Sequence, residues 1–254
     1  MIHDQAKILD FFSKKKRHFY PKHGVADMNE ELNFWDTELS LKGKFGEFTK
    51  KRIDPKQRKE EFPTLIFDAV LPLLDEHFGA SGRPFKCVEL GSGPLSNLAY
   101  GVDAGLIDVT AVDILAEGYG HLYEKYNLLD YPVKPISGSG EVLTDLFEGE
   151  TFHCAYARNS LDHTQDILLS FKNLVSLVKR NGYIILQHFV REGSRSDWNN
   201  THQWDLELTA NGFVAFNSKG EEFQLQKGCN VEFSYVFYRS VEIDRWMDIV
   251  LKKV

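Results

Sequence analysis

The stretch that most restricts this chain is Phe85-Lys86-Cys87-Val88-Glu89-Leu90-Gly91-Ser92-Gly93-Pro94-Leu95-Ser96. Its apolar run suits a buried strand, and two glycines one residue apart suit a tight turn with no side chain in the way. Ser96 is placed to cap a helix through Asn97 and Tyr100. Strand, glycine turn and helix start together form a cradle in which a ligand can lie against bare backbone.

Strand and helix then alternate. Strands are expected at 85–90, 108–113, 133–137, 152–157 and 182–189, with helices at 96–104, 117–126, 141–147 and 164–180. Repeated strand–helix units imply an α/β fold with a parallel sheet covered on both faces. A further helix is expected near 202–211. Segments 213–216 and 231–238 read as a late hairpin closing the sheet.

Ahead of this alternation, residues 1–80 read as a helical segment and 81–254 as the ligand-binding domain. Ile8, Leu9, Phe11 and Phe12 give one apolar face, residues 30–41 a second helix and 62–78 a third. The basic clusters Lys50–Arg52 and Lys56–Lys59 read as solvated surface, or as a lid over an anionic group. Residues 1–60 hold 14 Lys and Arg against 10 Asp and Glu, in a chain of net charge −7. That balance disfavours a general nucleic-acid binder. No run is long and apolar enough to span a membrane, and no secretory signal is visible. Three scattered cysteines suit free thiols in a reducing cytoplasm and give no zinc pattern.

Asp113 ends the second strand, 22 residues after Gly91, where a carboxylate can accept the hydroxyls of an adenosine ribose. A dinucleotide fingerprint wants a third glycine at position 96, which is Ser96, and has no use for Glu89. A ligand with a cationic amine does. S-adenosyl-L-methionine carries an amine, a sulfonium and an adenosine, and so fits better.

The chain resembles the class I S-adenosylmethionine-dependent methyltransferases. The resemblance rests on Val88–Leu95, Thr110–Asp113, Gly138–Leu143 and Ala157–His163, in that order, and covers about residues 80–240. Gly-Pro-Leu after the turn, Asn159–His163 and His202-Gln203-Trp204 resemble a narrower bacterial group associated with surface-polysaccharide or sugar modification. The resemblance implies a Rossmann-like, mostly parallel sheet of seven strands with a closing antiparallel hairpin. It places Glu89, Gly91 and Gly93 along the methionine. Asp113 and Ile114 fall on the ribose and adenine side, Gly140 and Glu141 flank the adenine, and Arg158 and Asn159 close the methionine end. The family usually has Asp where this chain has His153, and often an acid where it has Ser139.

Transfer to a hydroxyl needs a proton removed, which suits neutral imidazole. The candidates are His163, His188 and His202, all expected at the carboxyl edge of the sheet. Asp162 can orient a histidine or bind a cation, but adjacency to His163 alone does not point to metal, and none is expected. Trp198, Trp204 and Tyr156 are either packing aromatics or stacking faces for a sugar or base. Arg191, Arg195 and the basic clusters are available to an anionic acceptor.

The leading reading is O-methylation of a small or saccharide-linked acceptor in glycan assembly. N-methyl or phosphoramidate-type transfer, a nicotinamide-dependent oxidoreductase and a catalytically silent binding module are the alternatives. The aromatics of 213–238 suit either a homodimer contact or the core.

Overall fold

The computed structural model describes residues 25–198, 201–241 and 244–254. The apolar face of residues 8–12 lies outside them. Four helices come first: α1 (Val25–Leu39), α2 (Gly46–Ile53), α3 (Arg58–Glu61) and α4 (Thr64–Phe78).

The alternating region follows as β1 (Phe85–Leu90), α5 (Ala99–Asp103), β2 (Ile107–Asp113), α6 (Gly120–Lys125), β3 (Ile136–Ser137), α7 (Leu143–Leu146), β4 (Phe152–Arg158), α8 (Ile167–Leu177) and β5 (Val178–Phe189). After α9 (Glu192–Arg195) come β6 (Asp205–Thr209), β7 (Gly212–Phe216), β8 (Glu222–Gln224), β9 (Val231–Val241) and β10 (Asp244–Lys253).

The main sheet has seven strands in the order β3-β2-β1-β4-β5-β10-β9. β1 to β5 pair in parallel, and β10 runs antiparallel to both β5 and β9. This is the expected mostly parallel sheet with a closing hairpin. Its strand order reverses between β1 and β4, where the chain leaves opposite ways and opens a crevice at the carboxyl ends.

Period-two alternation sorts the buried residues to two faces. Val88, Leu90, Ala155, Ala157, Ile184 and Leu186 share one core with Phe171 and Leu174 of α8. Phe85, Cys87, Cys154, Tyr156 and Ile185 share the other with Ile66, Phe67, Val70 and Leu74 of α4. Thus α4 is one of the helices that cover the sheet.

Three expectations are corrected. The helix near 202–211 is instead β6: Leu206 and Leu208 alternate, and Ala210-Asn211 make a two-residue turn into Gly212 at φ 101°. Segment 213–216 is β7, the middle of a separate antiparallel sheet β6-β7-β8 that packs Leu206, Phe213 and Ala215 onto the α8 core. The strand that closes the main sheet is β10, with Met247, Ile249 and Leu251 buried. Third, the helix after the glycine turn has five residues and starts at Ala99, with no side-chain cap. Ser96 Oγ accepts from Leu98 N–H ahead of it. The early residues Pro94 and Leu95 stay in an irregular loop, and the helix N-terminus contributes little to the cradle.

A candidate active site at the carboxyl edge of the sheet

The glycine turn leaves β1 with both glycines in the left-handed region, Gly91 at φ 68° and Gly93 at φ 62°. A Cβ on Gly91 would lie 2.3 Å from Ser160 Cβ, and one on Gly93 would lie 2.5 Å from the Trp35 indole. The turn therefore needs glycine for both backbone angle and room. Gly91 N–H donates to Val112 O at 2.7 Å, and Gly93 N–H to Asp113 Oδ2 at 2.9 Å. Asp113 Oδ1 accepts from Leu115 N–H and Tyr119 O–H. Burial raises the Asp113 carboxyl, and those backbone N–H groups offset part of the rise. Beside it Ile114 is exposed, an apolar surface at the crevice rim.

Glu89 lies on the α4 face of β1 and is buried. Its Oε2 accepts from Ser96 Oγ at 2.5 Å. Burial pushes its carboxyl up to about 7, against the hydrogen bond from Ser96 and the positive charges of Arg52 and Arg158. Arg158 ends β4 on the same face, its guanidinium 5.3 Å from the centre of the Trp246 ring. Asn159 Oδ1 accepts from Phe189 N–H and joins the ends of β4 and β5.

Gly140 lies against Ser170, and its carbonyl accepts from Asn173 Nδ2–H. Glu141 Oε1 accepts from the backbone N–H groups of Gln165 and Asp166, so that side chain is engaged at the start of α8.

The three histidines singled out in the sequence come together around Asp162. His202 Nδ1 stands 2.6 Å from Asp162 Oδ2, His163 Nε2 3.4 Å from the same oxygen, and His188 Nδ1 3.8 Å from Oδ1. His163 Nε2 and His202 Nδ1 are 3.2 Å apart. Two hydrogen bonds to backbone carbonyls make this meeting possible. Gln203 N–H donates to Asp162 O at 2.8 Å and Trp204 Nε1–H to Thr164 O at 2.6 Å, which lays the His-Gln-Trp segment along residues 162–164. Burial would raise the Asp162 carboxyl, but the facing imidazoles outweigh it and hold it down at about 2. Burial would lower His202, and the hydrogen bond and charge of Asp162 turn the shift upward. His188 is buried, which pulls it down to about 4. Both of its ring nitrogens are buried without a hydrogen-bond partner.

Two contributors were not read from sequence as site residues. In α1, burial raises the Glu31 carboxyl, against the pull of His163 and His202. Trp35, one helical turn on, covers Gly93. The i, i+4 spacing of an acid and an indole was a visible signal, though a weak one. In α2, Arg52 is largely buried, its Nε 3.9 Å from Glu61 Oε2 and without a hydrogen bond. Lys51 of the same cluster pairs with Glu60 on the surface.

Other expected groups are occupied elsewhere. Arg191 forks onto Glu207 at 2.8 and 2.6 Å. Tyr156 is fully buried with its hydroxyl on Gln187 Oε1, and Trp204 packs edge-on against Phe223. The Tyr156 ring offers no open stacking face. His153 sits at the opposite end of β4, where its Nδ1 accepts from Lys86 N–H.

The residues present fit an adenosyl sulfonium: a buried carboxyl for a cation, a bare-backbone turn, a second carboxylate at the next strand end, and an apolar rim. No helix among the described residues is long and apolar enough to cross a membrane.

No protein-family model matches the chain, and no curated protein matches it in sequence. Solved structures are similar in fold. The 1,6-didemethyltoxoflavin-N1-methyltransferase of Burkholderia thailandensis, with bound 1,6-didemethyltoxoflavin and S-adenosylhomocysteine, is 14% identical with a TM-score of 0.46, over 72% of this chain and 77% of that one. A geranyl diphosphate methyltransferase in complex with SAM is 13% identical with a TM-score of 0.47, over 72% and 84%. The trans-methyltransferase CalH, in complex with SAH, is 14% identical with a TM-score of 0.50, over 72% of this chain and 55% of that chain. With the observed strand order, that last likeness gives this chain the class I methyltransferase fold.

Proposed function

We propose that this protein is an S-adenosylmethionine-dependent methyltransferase that acts on a hydroxyl of a sugar or surface-glycan-linked acceptor. One observation carries the reading. A buried carboxyl at about 7 stands beside a left-handed glycine turn, with Asp113 at the adjoining strand end and the histidine cluster across the crevice.

Glu89, Gly91 and Gly93 hold the methionine part of the cofactor, and Asp113 and Ile114 the ribose and adenine side. Gly140 and Glu141 flank the adenine through their backbone, and Arg158 and Asn159 close the methionine end. The bound cofactor supplies a methyl group on an electrophilic sulfonium. The protein's own task is therefore alignment, together with easing a proton from the acceptor oxygen. Asp162, His163 and His202 perform the second part. Helices α1 and α2 form the acceptor side, with Trp35 of α1 over the turn. Arg52 and Arg158 share one electrostatic environment with Glu89, which favours an acceptor that bears a negative charge.

Calorimetric titration with S-adenosylmethionine and, separately, with a nicotinamide dinucleotide tests the cofactor; only the first should bind. Incubation with labelled S-adenosylmethionine and a panel of nucleotide sugars and surface glycans tests the acceptor by mass gain. His163→Ala and His202→Ala should each cut turnover by ~10²-fold or more while cofactor affinity stays unchanged. Full activity in both variants would remove the cluster from the mechanism.

A further inference from the structure

Asp162 Oδ2, His163 Nε2 and His202 Nδ1 face one another across 2.6, 3.2 and 3.4 Å, and the hydrogens available do not satisfy them. At 2.6 Å, His202 Nδ1 gives its hydrogen to Asp162. An imidazole nitrogen that donates has no in-plane lone pair left to accept from His163. With that hydrogen on His202 Nδ1, the 3.2 Å contact to His163 Nε2 has no acceptor, and His163 Nε2 stands 3.4 Å from the carboxylate oxygen. The mismatch continues inward. Asp162 Oδ1 and both ring nitrogens of His188 have no hydrogen-bond partner, although Asp162 is 2% and His188 1% exposed. Unpaired polar atoms at such depth are costly and uncommon.

We propose that Asp162, His163 and His202 bind a divalent first-row transition cation, with the acceptor oxygen as a further ligand. The identity of that acceptor rests on the methyl-transfer reading; the cation site does not. Donors that share a cation at ~2.1 Å stand about 3.0–3.4 Å apart. His163 already has that spacing to both partners. The contact between His202 and Asp162 is the hydrogen-bonded one, and it opens by about half an ångström when a cation displaces the proton. Two imidazoles and one carboxylate suit manganese, iron, cobalt or zinc better than magnesium or calcium, which prefer oxygen throughout. His163 and His202 are 30% and 24% exposed at the side chain, which leaves an entry path and open coordination positions. His188 stands behind the carboxylate, as an outer neighbour of a metal ligand does.

The chemistry balances. The cation lowers the pKa of the bound hydroxyl, whose proton passes to water. The C–S bond then breaks with its electron pair staying on sulfur, and an O–C bond forms.

The test uses protein without a histidine tag, stripped with a chelator and titrated with Co²⁺. One equivalent should bind and give the visible d–d absorption of imidazole-ligated cobalt. His202→Ala and His163→Ala should each loosen it by ~100-fold or more, at least the effect of losing an outer-shell partner. Replacing buried Asp162 endangers the fold, whereas His202 lies outside any helix or strand and is safer to truncate. S-adenosylmethionine should bind all three samples equally. Absence of a one-to-one Co²⁺ complex, or equal binding by His202→Ala, overturns the proposal. Failure of the unaltered protein to bind S-adenosylmethionine, with Co²⁺ still bound, overturns the methyl-transfer reading instead and supports the cation site.

Discussion

A carboxyl at the end of a buried strand cannot keep its charge without a partner. In Glu89 the charge has one hydrogen bond from Ser96 and two guanidinium groups in electrostatic range, and burial still leaves the carboxyl at about 7. A cationic ligand favours the carboxylate, so its binding must release the proton that Glu89 holds below that pH. Cofactor affinity should therefore fall as pH drops from about 7 toward 5 and level off above 8. Calorimetry in buffers of different ionisation enthalpy should show proton release near pH 6.5, and Glu89→Gln should abolish both the release and the pH dependence. Unchanged pH dependence in that variant would separate Glu89 from the cation.

At the scale of elements, α1 and α2 decide the shape of the crevice. Trp35 reaches the turn only because Gly93 has no side chain. Gly93→Ala should cost about 1–2 kcal/mol from the left-handed backbone alone, and more from the indole. Adding Trp35→Ala should restore the second part and not the first, as a double-mutant cycle in denaturant would show. Arg58 holds α2 in place. It donates to the carbonyls of Arg52 and Ile53, the last two of that helix, and pairs with Asp103 at 2.7 Å. Arg58→Met should strip those carbonyls and cost about 1–3 kcal/mol, read as a lower midpoint in urea. Cofactor affinity should fall with it, because Arg52, whose charge favours the Glu89 carboxylate, loses its fixed place.

For the whole molecule, the crevice depends on a sheet sealed at its far side by β10 and β9. Met247, Ile249 and Leu251 point into the α8 core beside Ile184 and Leu186. Met247→Ala, at a fully buried position, should cost about 2–5 kcal/mol without touching the site. Equilibrium unfolding would check it, with cofactor binding unaltered at low temperature. Much of this architecture was legible in the chain. The run into Gly91, the acid at Asp113 and the alternation of strands and helices are local patterns, written in periods of two and 3.6 and in residues that alone tolerate a left-handed turn. Residues 202–211 read as a helix rather than as the strand β6 because Leu206 and Leu208 are too few to separate the two periods, and the strand at 213–216 joins β6 rather than the main sheet because pairing is not a local property. The convergence of Asp162, His163, His188 and His202 was not legible, since no local rule brings residue 202 to residue 162; the bonds of Gln203 and Trp204 do that after folding. Likewise, Lys51 and Arg52 are neighbours of the same charge, and only packing of α2 and α3 turns one outward to Glu60 and the other to a buried place beside Glu61. Backbone geometry follows from adjacent residues, whereas the partners of a charge or a lone pair depend on which distant segments the core brings together.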